Sequence, residues 1–161
     1  MRRETCLKSV SYIIRLFSSE TIDRTKTDHL YSLIKNKLTQ EETQITENRI
    51  VTLEVEKAIQ SLGNNKSPGR DGMTTEFYKA FSDKLIPILM KMYNEITENK
   101  NIVIPKAFNE GIIKLVYKNN GDKNNLNNYR PISLLNTDYK IFMKILANRI
   151  KPIMPHIINK N

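Results

Sequence analysis

The chain has no tryptophan and a single cysteine, Cys6, so no internal disulfide can form. Its two histidines, His29 and His156, are far apart in sequence, and with one cysteine they make no zinc-ligand spacing. No apolar run is long enough to span a bilayer. The sequence also lacks a Ser-His-Asp set, a His-Glu-x-x-His helix, an EF-hand loop, a P-loop and G-x-G-x-x-G. Acids become scarce toward the C-terminus. From Lys114 onward, nine basic residues stand against Asp122 and Asp138 alone.

What is present is a basic chain of 161 residues with a formal charge of +9. That length suits one domain or a piece of a larger one. The charge is uneven: residues 1–65 hold 10 Lys+Arg and 9 Asp+Glu, whereas residues 66–161 hold 16 and 8. Concentrated positive charge points to a polyanionic partner, of which nucleic acid is the commonest.

The chain is organised around Gly111–Leu135. Ile112, Ile113, Leu115, Val116 and Tyr117 predict a strand. Alternation puts Lys114 and Lys118 on one face, with Ile113, Leu115 and Tyr117 on the other. Residues 119–128 contain six Asn and one Gly and cannot continue a buried strand. Tyr129 to Leu135 is apolar again and carries Arg130 beside Pro131. The simplest geometry is a hairpin with a long, mobile, polar loop. Lys118 closes one strand and Arg130 opens the other, so two cations flank one gap. Such a pair suits a polyphosphate, lysine as a point charge and arginine as a planar fork. An exposed hairpin with solvated ends accounts for the same residues.

Helices are predicted around this ribbon. Val10, Ile13, Ile14 and Phe17 fall at helical spacing. Leu30, Ile34 and Leu38, with Tyr31, mark a second helix capped by Asp28. Residues 39–48 are polar and read as solvated surface. Thr52 is the expected cap of a third helix, with Glu54 in its first turn, an apolar face of Val55, Ala58, Ile59 and Leu62, and Gly63 as its stop. Met73, Phe77 and Phe81 carry a fourth behind Thr74 or Thr75. Ser82 caps a fifth, with Leu85, Ile88, Leu89, Met92 and Ile96 inward and Pro87 predicting a kink or a later start. Thr137 or Asp138 opens the last, burying Ile141, Phe142, Ile145, Leu146 and Ile150. Lys140, Lys144, Arg149 and Lys151 decorate its surface, and Pro152 and Pro155 end it.

Between the third and fourth helices lies Lys66-Ser67-Pro68-Gly69-Arg70-Asp71-Gly72, with two strong turn dipeptides. Its glycines expose backbone N–H groups, and Lys66 and Arg70 add charge, so it can act as a phosphate cradle or simply as a turn. KSPGRDGMTTEFYK (Lys66–Lys79) is followed by NYRPISLLNTDYKIFMKILANRI (Asn128–Ile150), with a Lys-ended strand between them. In that order these two blocks resemble the reverse transcriptase of non-LTR (LINE-like) retrotransposons, from about Val51 to the C-terminus. Residues 1–50 then correspond to the variable region preceding the polymerase domain, and 51–161 to a partial reverse transcriptase domain.

The resemblance implies the fingers and the start of the palm of a right-hand polymerase, hence an α+β chain, mostly helical, with a small antiparallel β-hairpin. It implies template contacts at Lys66 and Arg70. Nucleotide contacts fall at Lys118 and Arg130, with Tyr129, Pro131 and Ile132 holding Arg130 in place. The implied partners are an RNA template or primer–template and, in the intact enzyme, a deoxynucleoside triphosphate. The implied location is intracellular, nuclear or cytoplasmic. The family's magnesium-binding aspartates come from motifs expected beyond Asn161. No metal is therefore expected to be held by this chain alone, and Mg²⁺ belongs to the intact enzyme. Asp71, Asp83, Asp122 and Asp138 sit in turns or at helix starts, where capping explains them. The expected activity is that of an RNA-directed DNA polymerase fragment, inactive in isolation. A non-enzymatic nucleic-acid-binding module or a decayed relic with no activity are the alternatives. Faces such as Ile141/Ile145 are expected to pack against the rest of the palm, leaving the chain loose.

Overall fold

The computed structural model describes residues 24–32, 37–99 and 101–158, with Ser11 and Ile14. Ser11 and Ile14 are helical, and the rest of the first expected helix lies outside the described residues. The element order is α1 (Arg24–Ser32), α2 (Gln40–Glu47), α3 (Thr52–Ser61), α4 (Thr75–Ala80), α5 (Ser82–Glu98), α6 (Lys106–Asn109), β1 (Gly111–Tyr117), β2 (Tyr129–Leu135), α7 (Thr137–Ile150) and α8 (Met154–Ile157). The fold is α+β, mostly helical, with one antiparallel strand pair. Two compact units emerge, and the division falls inside both strands. One unit holds α1 with residues 113–133. The other holds α2 through residue 112 and resumes at residue 134 through α8.

The helical unit owns the core. Val55, Ala58 and Ile59 of α3, Ile86, Leu89 and Tyr93 of α5, and Ile141, Phe142 and Ile145 of α7 pack together with Phe108 of α6. The Tyr93 and Phe142 rings lie 5.0 Å apart, and the Tyr93 hydroxyl donates to the Asp138 carbonyl at 2.8 Å. Ile141 and Ile145 are thus filled by this chain's own helices rather than left for a missing partner, which corrects that expectation. Asn94 on α5 accepts from the Ile50 amide at 2.7 Å and donates to the Ile50 carbonyl at 2.9 Å. That buried pair fixes the chain's entry into α3.

Local sequence explains most helix ends. Thr39 caps α2 through a reciprocal box with Glu42, so residues expected as solvated surface form a helix. Leu38 consequently sits outside any helix. Asp28 lies inside α1 rather than at its cap, because the helix already runs from Arg24. The cap of α3 is Val51, not Thr52, with Glu54 reaching back to the Val51 amide at 3.0 Å. Thr74 caps α4 as expected, and Phe81 precedes α5 where Ser82 was predicted. Pro87 lies inside α5, which already begins at Ser82, so Pro87 offers no N–H to the Asp83 carbonyl.

Periodicity misjudged several faces. Met73, Phe77, Phe81, Ile88 and Ile150 are exposed, while Tyr78 and Tyr93 are buried in their place. The largest correction is Arg149. It does not decorate α7 but is 7% exposed. Its guanidinium grips Glu54 of α3 at 2.6 and 2.7 Å and donates to the carbonyls of Thr46, Asn48 and Arg49 at 3.2, 2.6 and 3.0 Å. One side chain thereby satisfies the loose carbonyls behind α2 and holds the first turn of α3 against α7. This hydrogen bonding draws the Glu54 carboxyl below its ordinary range, against the opposing pull of burial.

The other unit has no buried residue among those described. Its ribbon is held by paired backbone and by aromatic contact instead. The Lys118 amide donates to the Asn128 carbonyl at 2.8 Å, and the Tyr117 and Tyr129 rings lie 5.4 Å apart. The loop beyond is extensively hydrogen-bonded. Asp122 and Asn125 side chains accept from the amides two residues on, at 2.9 and 3.0 Å. Asn119 and Gly121 adopt positive φ, +57° and +79°, where asparagine and glycine are the tolerated residues. A one-turn 3-10 helix, Leu126–Asn128, leads into β2.

Candidate nucleic-acid interface

The ribbon register decides which way its cations face. Lys118 opposite Asn128 and Tyr117 opposite Tyr129 put Arg130 opposite Val116. Lys114, Lys118 and Arg130 then share one face by alternation, and Tyr117 and Tyr129 take the other. Lys118 and Arg130 are diagonal cross-strand neighbours, with Cβ atoms about 7–8 Å apart in such a pairing. Both are exposed. Lys118 places its Nζ on the Asn127 carbonyl at 2.7 Å, which steadies it at the loop mouth and leaves two ammonium protons. Arg130 makes no ion pair or hydrogen bond among the described residues.

The tyrosine face ties the loop down. The Tyr117 hydroxyl donates to the Gly121 carbonyl at 2.5 Å and that of Tyr129 to the Lys123 carbonyl at 3.0 Å. Lys123 returns over the Tyr117 ring at 5.7 Å. Neither this place for Lys123 nor these ties across the loop is among the expectations drawn from the residues. The signal available was the spacing of two tyrosines across a ten-residue polar insert.

In the helical unit, the Lys66–Gly72 turn sits against the start of α7. Gly69 is buried, and a Cβ there would overlap the backbone and side chain of Asn136, so glycine is required by close approach. Asn136 also donates to the Ala107 carbonyl at 2.8 Å. Thr137 donates to the Met73 carbonyl at 2.7 Å, and Lys140 reaches the Ser67 carbonyl at 3.3 Å. The two sequence blocks are therefore in physical contact: the turn of the first rests on the helix start of the second. Lys66 is exposed and without a hydrogen-bond or ion-pair partner among the described residues. Arg70 is exposed but paired with Glu110 at 2.7 Å. That exposed pair is worth about 0–1 kcal/mol, so a phosphate can compete for the guanidinium.

The acids take local duties. Asp71 accepts from the Met73 amide at 3.0 Å and Asp138 from its neighbour Tyr139 at 2.6 Å. Asp83 lies in the first turn of α5. Among the described residues no group of three His, Cys, Asp or Glu side chains is arranged to hold a metal ion. No helix among them is long and apolar enough to cross a membrane.

Comparison with known proteins follows the same lines. The chain is 30% identical over 149 residues, 92% of its length and 11% of the relative's, to the transposon TX1 uncharacterized 149 kDa protein of Xenopus laevis. It is 34% identical over 101 residues to the probable RNA-directed DNA polymerase from transposon BS of Drosophila melanogaster, covering 63% of this chain and 11% of that protein. The corresponding protein from transposon X-element of the same fly is 33% identical over 101 residues, again 63% and 11%. No family model matches the chain. The class these relatives define is the proteins of mobile elements. More narrowly, the chain is homologous over most of its length to the RNA-directed DNA polymerases of non-LTR retrotransposons. It spans about a tenth of the length of the curated relatives it matches.

Proposed function

We propose that this chain supplies template- and nucleotide-contacting parts of a non-LTR retrotransposon RNA-directed DNA polymerase, its fingers and the start of its palm, and transfers no nucleotide alone. One observation carries the reading: the ribbon register sets Lys118 and Arg130 side by side on one exposed face. A triphosphate spans that separation, and two fixed cations would stabilise charge on its leaving pyrophosphate. Lys66 and Arg70, on a turn held by Gly69, would contact the template backbone without reading its sequence. The partners are then an RNA template or primer–template and a deoxynucleoside triphosphate. Residues 51–161 form the polymerase part and 1–50 the region before it. The polymerase names of the relatives support this assignment.

Magnesium in the intact enzyme would be held elsewhere, a reading supported by the local duties of the acids here. The test is binding at several salt concentrations. The purified chain is expected to bind a primer–template RNA weakly, with affinity falling as salt rises. Lys66→Ala with Arg70→Ala should reduce the salt slope by about two, one for each phosphate contact. Lys118→Ala with Arg130→Ala should abolish binding of a fluorescent deoxynucleoside triphosphate and spare RNA binding. DNA synthesis by the chain alone, or nucleotide binding indifferent to Lys118 and Arg130, would overturn the proposal. RNA binding with no nucleotide binding in the parent chain would fit a non-enzymatic nucleic-acid-binding module instead.

A further inference from the structure

The helical unit contains a pocket of about 500 Å³ bounded by α4, α5, α6 and the first turn of α7. That volume lies within the roughly 300–1,000 Å³ typical of small-molecule sites. Tyr78, Met92, Ile96 and Phe108 form apolar walls. Val103 stands at the rim, 89% exposed, so the mouth reaches solvent. The charged groups lining it are Asp71, Glu95 and Asp138, with no lysine or arginine among them. This is unexpected in a chain with 26 Lys+Arg and 17 Asp+Glu. None of the three acids has an ion-pair partner among the described residues. Burial, and secondarily the Asp71 charge, raise the Asp138 carboxyl above its ordinary range, as an uncompensated negative group requires.

We propose that this pocket binds a small organic cation, an ammonium or amidinium group on an aromatic body. The cation would sit between Asp71 and Asp138 and relieve their mutual repulsion. Its body would lie against Phe108, Tyr78 and the Met92 thioether, a soft surface suited to aromatic rings. An anion of the same shape is repelled, and a neutral analogue leaves the acids uncompensated.

The chain labelled with ¹³C at its methionine methyls reads this directly, because Met73 and Met92 line the pocket while Met143 and Met154 do not. Titration with benzylammonium is expected to shift Met73 and Met92 saturably and leave Met143 and Met154 in place. Benzyl alcohol should bind about tenfold more weakly, and benzoate not at all, since opposite charge at short range is worth about a decade or more. Asp138→Asn should weaken benzylammonium by about tenfold. Asp71→Asn should do likewise. It lies in an exposed turn and keeps an oxygen for the Met73 amide, so it guards against misfolding of the first variant. Equal binding of benzoate or benzyl alcohol, or uniform shifts of all four methyls, would overturn the proposal. A response to a short lysine peptide but not to benzylammonium would overturn it in favour of a polypeptide occupant.

Discussion

The two units of this protein are built on opposite principles. The helical unit hides a core of apolar residues and even a guanidinium, whereas no described residue of the ribbon unit is buried. Arg149 and Arg130 make the contrast within one side-chain type. Arg149 spends all its donors on Glu54 and three carbonyls and is structural. Arg130 keeps its donors open to solvent. A charge is available for a ligand only where the fold does not need it, and Arg130 meets that condition where Arg149 does not.

The sharpest way to break that contrast is to remove the buried charge. Arg149→Met should destabilise the chain by about 3–5 kcal/mol in urea unfolding, because Glu54 and three carbonyls lose their partner. Arg130→Met should change stability by less than about 0.5 kcal/mol. Gly69→Ala comes next. Its methyl meets Asn136 backbone, which cannot swing aside, so a loss of about 1–3 kcal/mol is expected, with the same reporter.

Acid titration separates the units further. Glu54 has a folded pKa below its ordinary 4.5, so its contribution is complete above that value. The contribution disappears as pH falls through the lowered folded value. Stability of the parent should therefore fall with acid below pH 4.5, and Glu54→Gln should flatten that part of the profile while lowering stability at neutral pH. The smallest effect belongs to the ribbon. Tyr117→Phe and Tyr129→Phe each remove one hydroxyl tie, worth about 0.5–1.5 kcal/mol. Faster amide exchange confined to the loop between the strands, with an unchanged global unfolding midpoint, is the expected outcome.

Much of this was legible in order along the chain. Alternation in GIIKLVY and the Asn-rich insert predicted the ribbon, and the faces of Val55, Ala58, Ile59 and of Ile141, Phe142, Ile145 predicted two core helices. Thr39 and Glu42 also spelled a capping box that composition alone hid among polar residues. The failures share a cause. Phe77, Phe81 and Ile88 have apolar side chains at helical spacing, yet α4 and α5 turn them outward, because the core is already occupied by Tyr78, Tyr93 and Leu89. Hydrophobicity says that a residue prefers burial, not that room exists for it.

Sequence alone thus determined the strand pair and the longer helices of the core, the cationic bias of the C-terminal half and the family resemblance, since these depend on neighbours within a few residues or on fixed motif order. Tertiary structure alone decided that Arg149 is internal, that Gly69 must be glycine, and that three acids share an apolar pocket without a counter-cation. Each of these depends on residues between 24 (Asp71 to Glu95) and 103 (Thr46 to Arg149) positions apart brought together. Such meetings follow from how helices pack, and no local pattern encodes them.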